Sequence, residues 1–305
     1  MTLATVVVTY LLIVAGGVVR VTGSGLGCGA SGQDWPLCHG GLVPPPDLAT
    51  LIEFNHRIFA TLSTVLIAAV LVVAWLRYRS DRRVTTAASA AAVLLVVQIL
   101  LGAVTVEWKL AQFVVLIHLA NALLVLGVLI HLAVLVRRPT TDDEAPRATG
   151  RLPLIAAVSA YVLVLSGALV VADAAGGQCQ GWPLCGNGFD LPVAGLAAIN
   201  MAHRVVALAV VLFLGYAMAK IRRATADPTT RAMAMAVNVS LLLQVLAGAA
   251  VVESHLAAAT RGLHIALASL VWGFTLAVAL LAHHAEPRHG VRTHPASTAV
   301  RGAAA

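Results

Sequence analysis

Charged residues are scarce in this 305-residue chain: 11% of the sequence is Asp, Glu, Lys or Arg, whereas 60% is hydrophobic. A soluble globular domain carries roughly 25% charged residues, so this composition argues against one. Aromatic residues are also few, at 5%, and the long apolar runs lack the alternating pattern of a transmembrane β-barrel. Collagen, a coiled coil and a disordered chain are excluded too. What remains is a set of helices that pack against one another in lipid, and the 25 glycines fit such packing.

Apolar stretches of about 20 residues, long enough to cross a bilayer as a helix, recur along the whole chain. The predicted spans are 3–22, 52–76, 85–107, 113–136, 152–172, 197–219, 231–252 and 261–282. The first stretch lacks the basic start and the small-residue cleavage site of a signal peptide, so we expect it to be retained. The predicted fold class is therefore an all-α integral membrane protein with eight transmembrane helices.

The distribution of basic residues predicts the orientation of these spans. Because the number of spans is even, both termini lie on one side of the membrane. Fifteen of the 20 Lys and Arg residues fall on that side, which the positive-inside rule makes cytoplasmic. Orientation and anionic lipid therefore explain the net charge of +7, and we expect no nucleic-acid partner. The predicted location is the cell membrane, with the longest loops toward the outer face.

An internal repeat divides the chain into two halves. The motif Trp35-Pro36-Leu37-Cys38 recurs as Trp182-Pro183-Leu184-Cys185, and His56-Arg57 recurs as His203-Arg204, at an offset of 147 (182 − 35 and 203 − 56). At an offset of 146, Gln98, Gly102, Glu107 and His118 recur as Gln244, Gly248, Glu253 and His264. The repeat predicts two pseudo-symmetric four-helix bundles. Their bounds are 1–138 and 151–283, with a cytoplasmic linker at 139–150 and a disordered tail at 284–305.

The repeat selects four of the eleven histidines, namely His56, His118, His203 and His264. In each half, the two histidines lie about 6–9 Å below the outer ends of their spans, at one depth. Two imidazoles opposed inside a four-helix bundle are typical of a bis-histidine haem site. A zinc site would require more ligands than the two histidines of each half. His131 has no repeat partner, and we expect it to be a packing residue.

The residues beside the histidines suggest further roles. Arg57 and Arg204 follow a histidine directly, and each can pair with a haem propionate or, equally, with a lipid phosphate. Glu53 lies three residues before His56, one turn away on the same helix face, whereas the second half has Asn200 at the matching position. A carboxylate there can accept a proton or position water. The alternative is an interfacial glutamate that the helix macrodipole favours at a helix start.

All four cysteines lie in the two long outer loops, where an oxidising compartment favours disulfides. We expect each loop to close on itself, through Cys28–Cys38 and Cys179–Cys185. The main interpretation is that both bridges staple their loops. A redox relay is the alternative, and it applies to the first pair.

These residues in combination resemble the heme A synthase family, across essentially the whole membrane portion. The resemblance rests on the Glu-x-x-His-Arg motif that begins at Glu53, the repeated histidines and the Trp-Pro-Leu-Cys loops. It implies that His56 and His118 flank the iron of the substrate, heme O, and that His203 and His264 ligate a permanent heme b cofactor. It also implies that Glu53 is the catalytic carboxylate.

The implied reaction is oxidation of the C8 methyl group of heme O to a formyl group, which gives heme A for terminal oxidase. Two axial histidines leave the iron no open position for oxygen. We therefore hypothesise that electrons leave through heme b, that water supplies the oxygen, and that Glu53 takes protons. The resemblance suggests a heme O synthase and an unidentified electron acceptor as partners. The sequence itself is compatible with either a monomer or a homo-oligomer. The alternative function is a di-haem b-type electron carrier or a haem-transport protein, because repeated histidines alone fit either.

Overall fold

The computed structural model of the protein describes residues 1–29, 37–41, 43–138, 150–172, 174–186 and 189–284. Eight long helices make up most of this part of the chain: α1 (Thr2–Thr22), α2 (Leu48–Arg77), α3 (Arg82–Glu107), α4 (Gln112–Arg137), α5 (Leu152–Ala172), α6 (Gly195–Ala224), α7 (Pro228–Glu253) and α8 (Ala258–His284). All eight are long and apolar enough to cross a membrane. Each contains one predicted span, so the predictions of an all-helical fold and of eight helices able to span a membrane are confirmed for the described residues. Trp35, Pro36, nearly all of the predicted linker and residues 285–305 of the predicted tail lie outside the described residues.

Some helices begin before the apolar runs from which they were predicted, because a polar side chain caps their first turn. Helix α2 begins at Leu48, four residues before the predicted span, because the Asp47 carboxylate accepts a hydrogen bond from the backbone N–H of Thr50 at 3.0 Å. Hydrogen bonds from the Thr50 side chain and backbone lower the pKa of Asp47. Asp81 and Asp227 cap α3 and α7 in the same way. The capped start of α2 leaves Glu53 in the second helical turn.

The helices pack as two closed sets of four. In the first set, α1 packs against α2 and α4, and α3 lies between α2 and α4; in the second set, α5, α6, α7 and α8 repeat this arrangement. The two sets meet where α1 packs on α8 and where α4 packs on α5 and α8. A core of buried side chains spans this junction and the interior of the second set, with Leu123, Leu126, Leu214, Met218 and Trp272 among its members. Many other large apolar side chains are exposed on the outer surface, as expected for helices that face lipid.

Two tyrosines tie the sets of helices together. The Tyr10 hydroxyl on α1 donates a hydrogen bond to the Ala266 carbonyl on α8 at 3.3 Å, and the Tyr161 hydroxyl on α5 donates to the Ala120 carbonyl on α4 at 3.1 Å. Each accepting carbonyl lies two residues after one of the repeated histidines. These bonds satisfy the polar ends of otherwise apolar side chains. They also link each set to the histidine-bearing helix of the other.

An ion pair joins the two sets at the helix ends that lie away from the cysteine loops, where α4 ends and α7 begins. The Arg138 guanidinium donates to Asp227 at 2.9 Å, and Asp227 also accepts hydrogen bonds from the backbone and hydroxyl of Thr230. Partial burial of Asp227 opposes its ionisation, but the hydrogen bonds from Thr230 and Arg138 outweigh that effect and lower its pKa. A carboxyl with a lowered folded-state pKa stabilises the fold above its unfolded pKa. That stabilisation is lost as the pH falls through the folded pKa.

Two substitutions at Asp227 separate its ion pair from its capping bond. We expect Asp227→Asn to cost less than about 1 kcal/mol, because asparagine still caps a helix and a partly exposed ion pair is worth little. We expect Asp227→Ala to cost about 1–2 kcal/mol, because it removes the cap as well. Thermal unfolding in detergent at neutral and acid pH measures both, and the difference between wild type and Asp227→Asn should shrink at acid pH. Equal losses for the two variants would contradict the assignment of the cap.

Candidate functional site

The four repeated histidines lie on α2, α4, α6 and α8, with one pair in each set of helices. His56 and His118 are close enough that the charge on one acts on the other, and the same holds for His203 and His264. All four rings are partly buried. Within the part of the chain that the structure describes, no three His, Cys, Asp or Glu side chains converge to hold a metal ion. Each pair therefore offers two imidazoles.

Every one of these imidazoles packs against a glycine of a neighbouring helix. A Cβ on the glycine would lie 3.1–3.4 Å from Cε1 of the histidine, closer than side chains normally pack. The pairs are His56 with Gly16, His118 with Gly102, His203 with Gly167, and His264 with Gly248. The glycines leave room for the rings, and a larger residue would push them. The sequence repeat predicts the second and fourth of these glycines but not Gly16 and Gly167, which recur at an offset of 151 (167 − 16) rather than 147 or 146.

Glutamine amides contact the second histidine of each pair. Nε2 of Gln98 lies 3.0 Å from Nε2 of His118, and Nε2 of Gln244 lies 3.3 Å from Nε2 of His264. The Asn121 amide donates to Oε1 of Gln98 at 2.8 Å, whereas Oε1 of Gln244 is buried without a hydrogen-bond partner among the described residues. The amide N–H of each glutamine thus occupies the lone pair with which its histidine would bind iron. Within the described part of the chain, a second amide holds the Gln98 side chain in that position, whereas none holds Gln244.

The Nδ1 atoms of the histidines also differ between the sets. Nδ1 of His203 lies 2.8 Å from the Ser166 hydroxyl. Nδ1 of His56, His118 and His264 is buried and makes no hydrogen bond of normal geometry with the described residues. The first histidine of the second set therefore has a fixed partner that its counterpart lacks.

Glu53 is the one acidic side chain among the buried residues described, with 4% of its surface exposed. Its Oε2 accepts a hydrogen bond from the backbone N–H of Cys28 at 2.8 Å, and its Oε1 accepts from Nη2 and Nε of Arg57 at 2.6 and 3.2 Å. A helix macrodipole acts within the first turn, so the second-turn position of Glu53 weakens the interpretation as an interfacial glutamate. The carboxylate is held by the first cysteine loop and by a cation.

Asn200 occupies the matching place in the second set, with the opposite hydrogen-bond polarity. Its amide N–H₂ donates to the carbonyls of Ala175 and Gly176 at 3.1 and 3.2 Å, and its Oδ1 accepts from Nε of Arg204 at 3.0 Å. The first loop thus presents a backbone N–H to a carboxylate, whereas the second presents carbonyls to an amide. Each loop backbone therefore offers the hydrogen-bonding groups that suit its own partner, a donor for the Glu53 carboxylate and acceptors for the Asn200 amide.

The two arginines hold the cysteine loops. Arg57 donates to the Leu37 carbonyl as well as to Glu53. Arg204 donates to loop carbonyls at 2.6–3.2 Å, those of Cys179, Gly181, Pro183 and Leu184. Loop anchoring by these side chains could not be predicted, because nothing local in the sequence indicates which carbonyls a guanidinium will contact. Their role as partners of haem propionates stays a prediction.

Disulfides close both loops in the structure. Cys28 bonds to Cys38 with the Cα atoms 4.5 Å apart, and Cys179 bonds to Cys185 with the Cα atoms 4.9 Å apart. Because Cys28 also donates its N–H to Glu53, the first bridge is directly connected to the buried carboxylate. The second bridge has no such contact with Asn200, which bonds to Ala175 and Gly176 instead.

His131 lies apart from this site. It is 13 residues beyond His118 on α4, which corresponds to about 20 Å along the helix axis at 1.5 Å per residue. Its ring is partly buried and interacts electrostatically with His283. The structure therefore does not bring His131 together with the repeated histidines.

Comparison with known proteins gives consistent matches over most of the chain. Residues 1–51 and 47–276 match the family described as cytochrome oxidase assembly protein. The chain is 30% identical over 214 residues to proteins named heme A synthase from Bacillus cereus (strain AH187), Bacillus mycoides (strain KBAB4) and Bacillus anthracis (strain CDC 684 / NRRL 3495). In each case the alignment covers 68% of this chain and 68% of the relative.

Proposed function

The chain belongs to the heme A synthase family, and on that premise we propose that it oxidises the C8 methyl group of heme O to a formyl group, giving heme A for terminal oxidase. The observation that carries the proposal is that a buried carboxylate, Glu53, occupies the place that the neutral amide of Asn200 takes in the second set. A carrier with two equivalent haems has no use for one buried carboxylate opposite an amide. An oxidase of haem needs one reactive site and one electron-accepting site.

The proposal gives the two sets of helices different tasks within two pseudo-symmetric halves. The first set takes heme O as substrate between His56 and His118, and the second holds heme b between His203 and His264. The donor set fits a haem, because each pair offers two imidazoles on different helices, with a glycine beside each ring that a Cβ would crowd. Heme b, when bound there, supplies one-electron redox chemistry.

The reaction balances with water as the source of oxygen. A methyl group and one water molecule give a formyl group, four electrons and four protons. Successive hydroxylations to a geminal diol, followed by loss of water, are the expected route. The electrons pass finally to a one-electron acceptor outside the chain, and the protons leave through Glu53. Its carboxylate suits this task because Arg57 and the Cys28 N–H fix the positions of both of its oxygens, one helical turn from His56 along α2.

Oxygen-18 labelling tests the source of the formyl oxygen. We expect label from H₂¹⁸O to appear in heme A, because substrate iron with two axial histidines has no open position for molecular oxygen. Mass spectrometry of the extracted haem measures the label, with a parallel incubation of unlabelled heme A to correct for exchange of the formyl group. Label that arrives from ¹⁸O₂ would rule out this route.

A double serine substitution tests whether the first disulfide takes part in the chemistry. We expect Cys28→Ser/Cys38→Ser to keep most of the turnover and to lose about 2–4 kcal/mol of stability, because the bridge constrains a loop. The matched control is Cys179→Ser/Cys185→Ser. Turnover of heme O and thermal unfolding are measured together. If the first variant loses all turnover while it still folds and binds heme b, and the control does not, the bridge is a redox relay.

The topology and partners follow from the same proposal. We propose that both termini are cytoplasmic and that the cysteine loops and both haem sites lie toward the outer face of the cell membrane. The predominance of basic residues at the ends of the helices away from the loops supports this orientation. A heme O synthase is the proposed donor of substrate. In addition to their loop contacts, Arg57 and Arg204 are candidates for binding haem propionates.

Pigment extraction distinguishes this enzyme from a di-haem carrier, which the matching histidine and glycine contacts of the two sets would also suit. The protein is purified from a host that makes heme O, and its haems are separated by chromatography. Heme b together with heme O, hydroxylated derivatives or heme A supports the enzyme. Heme b alone, at two per chain, would support the carrier.

A further inference from the structure

Ser166 on α5 forms a two-bond link between His203 and the helix backbone. Its hydroxyl lies 2.8 Å from Nδ1 of His203 and donates to the Leu163 carbonyl at 2.8 Å. A serine hydroxyl has a single proton. When that proton goes to Leu163, the hydroxyl accepts from His203 and Nδ1 carries the ring proton, which is the tautomer that an iron ligand at Nε2 requires. Nε2 of His203 is then left with its lone pair free to bind iron.

The first set of helices lacks this link. The offset of 151 that relates Gly16 to Gly167 and Tyr10 to Tyr161 places Ala15 opposite Ser166 (166 − 15). Alanine has no hydroxyl, and Nδ1 of His56 makes no hydrogen bond of normal geometry with any residue that the structure describes.

A backbone carbonyl lies near His56 in place of this hydroxyl. The Leu12 carbonyl, the counterpart of the Leu163 carbonyl, lies near the His56 ring, but Nδ1 of His56 forms no hydrogen bond of normal geometry with the described residues. The tautomer and orientation of His56 are therefore less constrained than those of His203.

The second histidines of the two pairs, His118 and His264, also differ in how firmly the glutamine at Nε2 is held. Gln98, which occupies Nε2 of His118, is held there by Asn121. The counterpart of Asn121 at an offset of 146 is Leu267, which cannot hold Gln244. A haem iron at His118 would have to displace the Gln98 amide, which Asn121 holds in place. At His264 it would displace the Gln244 amide, whose oxygen has no hydrogen-bond partner among the described residues.

We propose that Ser166 is a positioning residue that makes the second set of helices the permanent haem site, and that Ala15 at the matching position keeps the first set a site from which haem can leave. The inference rests on the proposed function. A hydroxyl that accepts from Nδ1–H increases electron donation by the imidazole, which strengthens its bond to iron and favours the ferric state. A resident cofactor needs this strength. A substrate whose product must be released does not.

Reciprocal substitutions in the purified holoprotein test the role of Ser166. We expect Ser166→Ala to release heme b to an acceptor such as apomyoglobin about tenfold faster than wild type, and to raise the midpoint potential of the b-type haem. Ser166→Thr keeps a hydroxyl that can bond the same carbonyl, so it should restore both values. Ser159→Ala, seven residues earlier on α5, is the matched control. An unchanged release rate and potential in Ser166→Ala would overturn the role of Ser166.

The reciprocal substitution, Ala15→Ser, tests the first set of helices. It also keeps the proposal testable if Ser166→Ala does not fold. We expect Ala15→Ser to retain more heme O or heme A through purification and to lower kcat through slower product release, with the heme b potential unchanged. Unchanged haem retention and kcat would overturn the role of Ala15. The release rate and potential concern bound heme b, so they do not depend on activity. A chain that makes no heme A but shows the Ser166→Ala shifts would refute only the proposed function.

Discussion

Glu53→Gln should lose heme A formation by at least about 100-fold, the range that a positioned proton acceptor contributes, while heme b stays bound in the second set of helices. Glutamine preserves the size of the side chain, and its carbonyl oxygen can still accept from the Cys28 N–H that now bonds the carboxylate. It cannot take up a proton or pair ionically with Arg57. The loss should therefore appear in turnover, measured by chromatography of the haem products, and not in the b-type spectrum.

The matched control for this variant is Glu107→Gln. Glu107 also lies at the loop end of a helix, at the last residue of α3, but it is exposed. We expect it to keep wild-type turnover. Full activity in Glu53→Gln would refute the assigned role of Glu53. Loss of the b-type spectrum in the same variant would instead indicate that Glu53 is needed for the fold.

His203→Ala and His264→Ala should lose the b-type spectrum and, with it, heme A formation. Removal of an axial ligand is more severe than loss of a residue that supports one, which alone weakens metal binding about 10–100-fold. We expect bound heme b below about a tenth of the wild-type amount, measured by the difference spectrum of the purified protein. His56→Ala and His118→Ala should keep heme b and lose turnover of heme O.

His131→Ala is the control for the histidine variants. It removes an imidazole from the same helix as His118 but far from the site along the helix axis. The b-type spectrum and turnover should both persist. A b-type spectrum that persists in His203→Ala but is lost in His56→Ala would reverse the assignment of the two sets of helices.

The spans and their number could be predicted from the sequence because the length of an apolar run is a local property. The helix ends could not be predicted as well. Asp47 extends α2 toward the loop by a capping bond, and hydropathy does not register a cap. The ties from Tyr10 and Tyr161 to the opposite set of helices were not predicted either, because they depend on which helices become neighbours.

The candidate site was predictable where the repeat preserved both residue type and spacing, as for His56 and His203. It was not predictable where the offset changed, so Gly16 and Gly167 were missed. The contacts of Arg57 with its loop and of Ser166 with His203 join residues 20 and 37 positions apart. Such contacts depend on the folded geometry, which the local pattern of the sequence does not contain.

Conversion of heme O by the purified protein tests the assigned activity most directly. The protein, reconstituted in lipid vesicles with its heme b, is supplied with heme O and a one-electron oxidant, and the extracted haems are separated and identified by mass spectrometry. We expect heme O to be consumed and heme A to appear, with little product from Glu53→Gln. Heme O that is bound but recovered unchanged, while heme b is fully reduced and reoxidised by external partners, would contradict the oxidase and leave a haem-binding electron carrier.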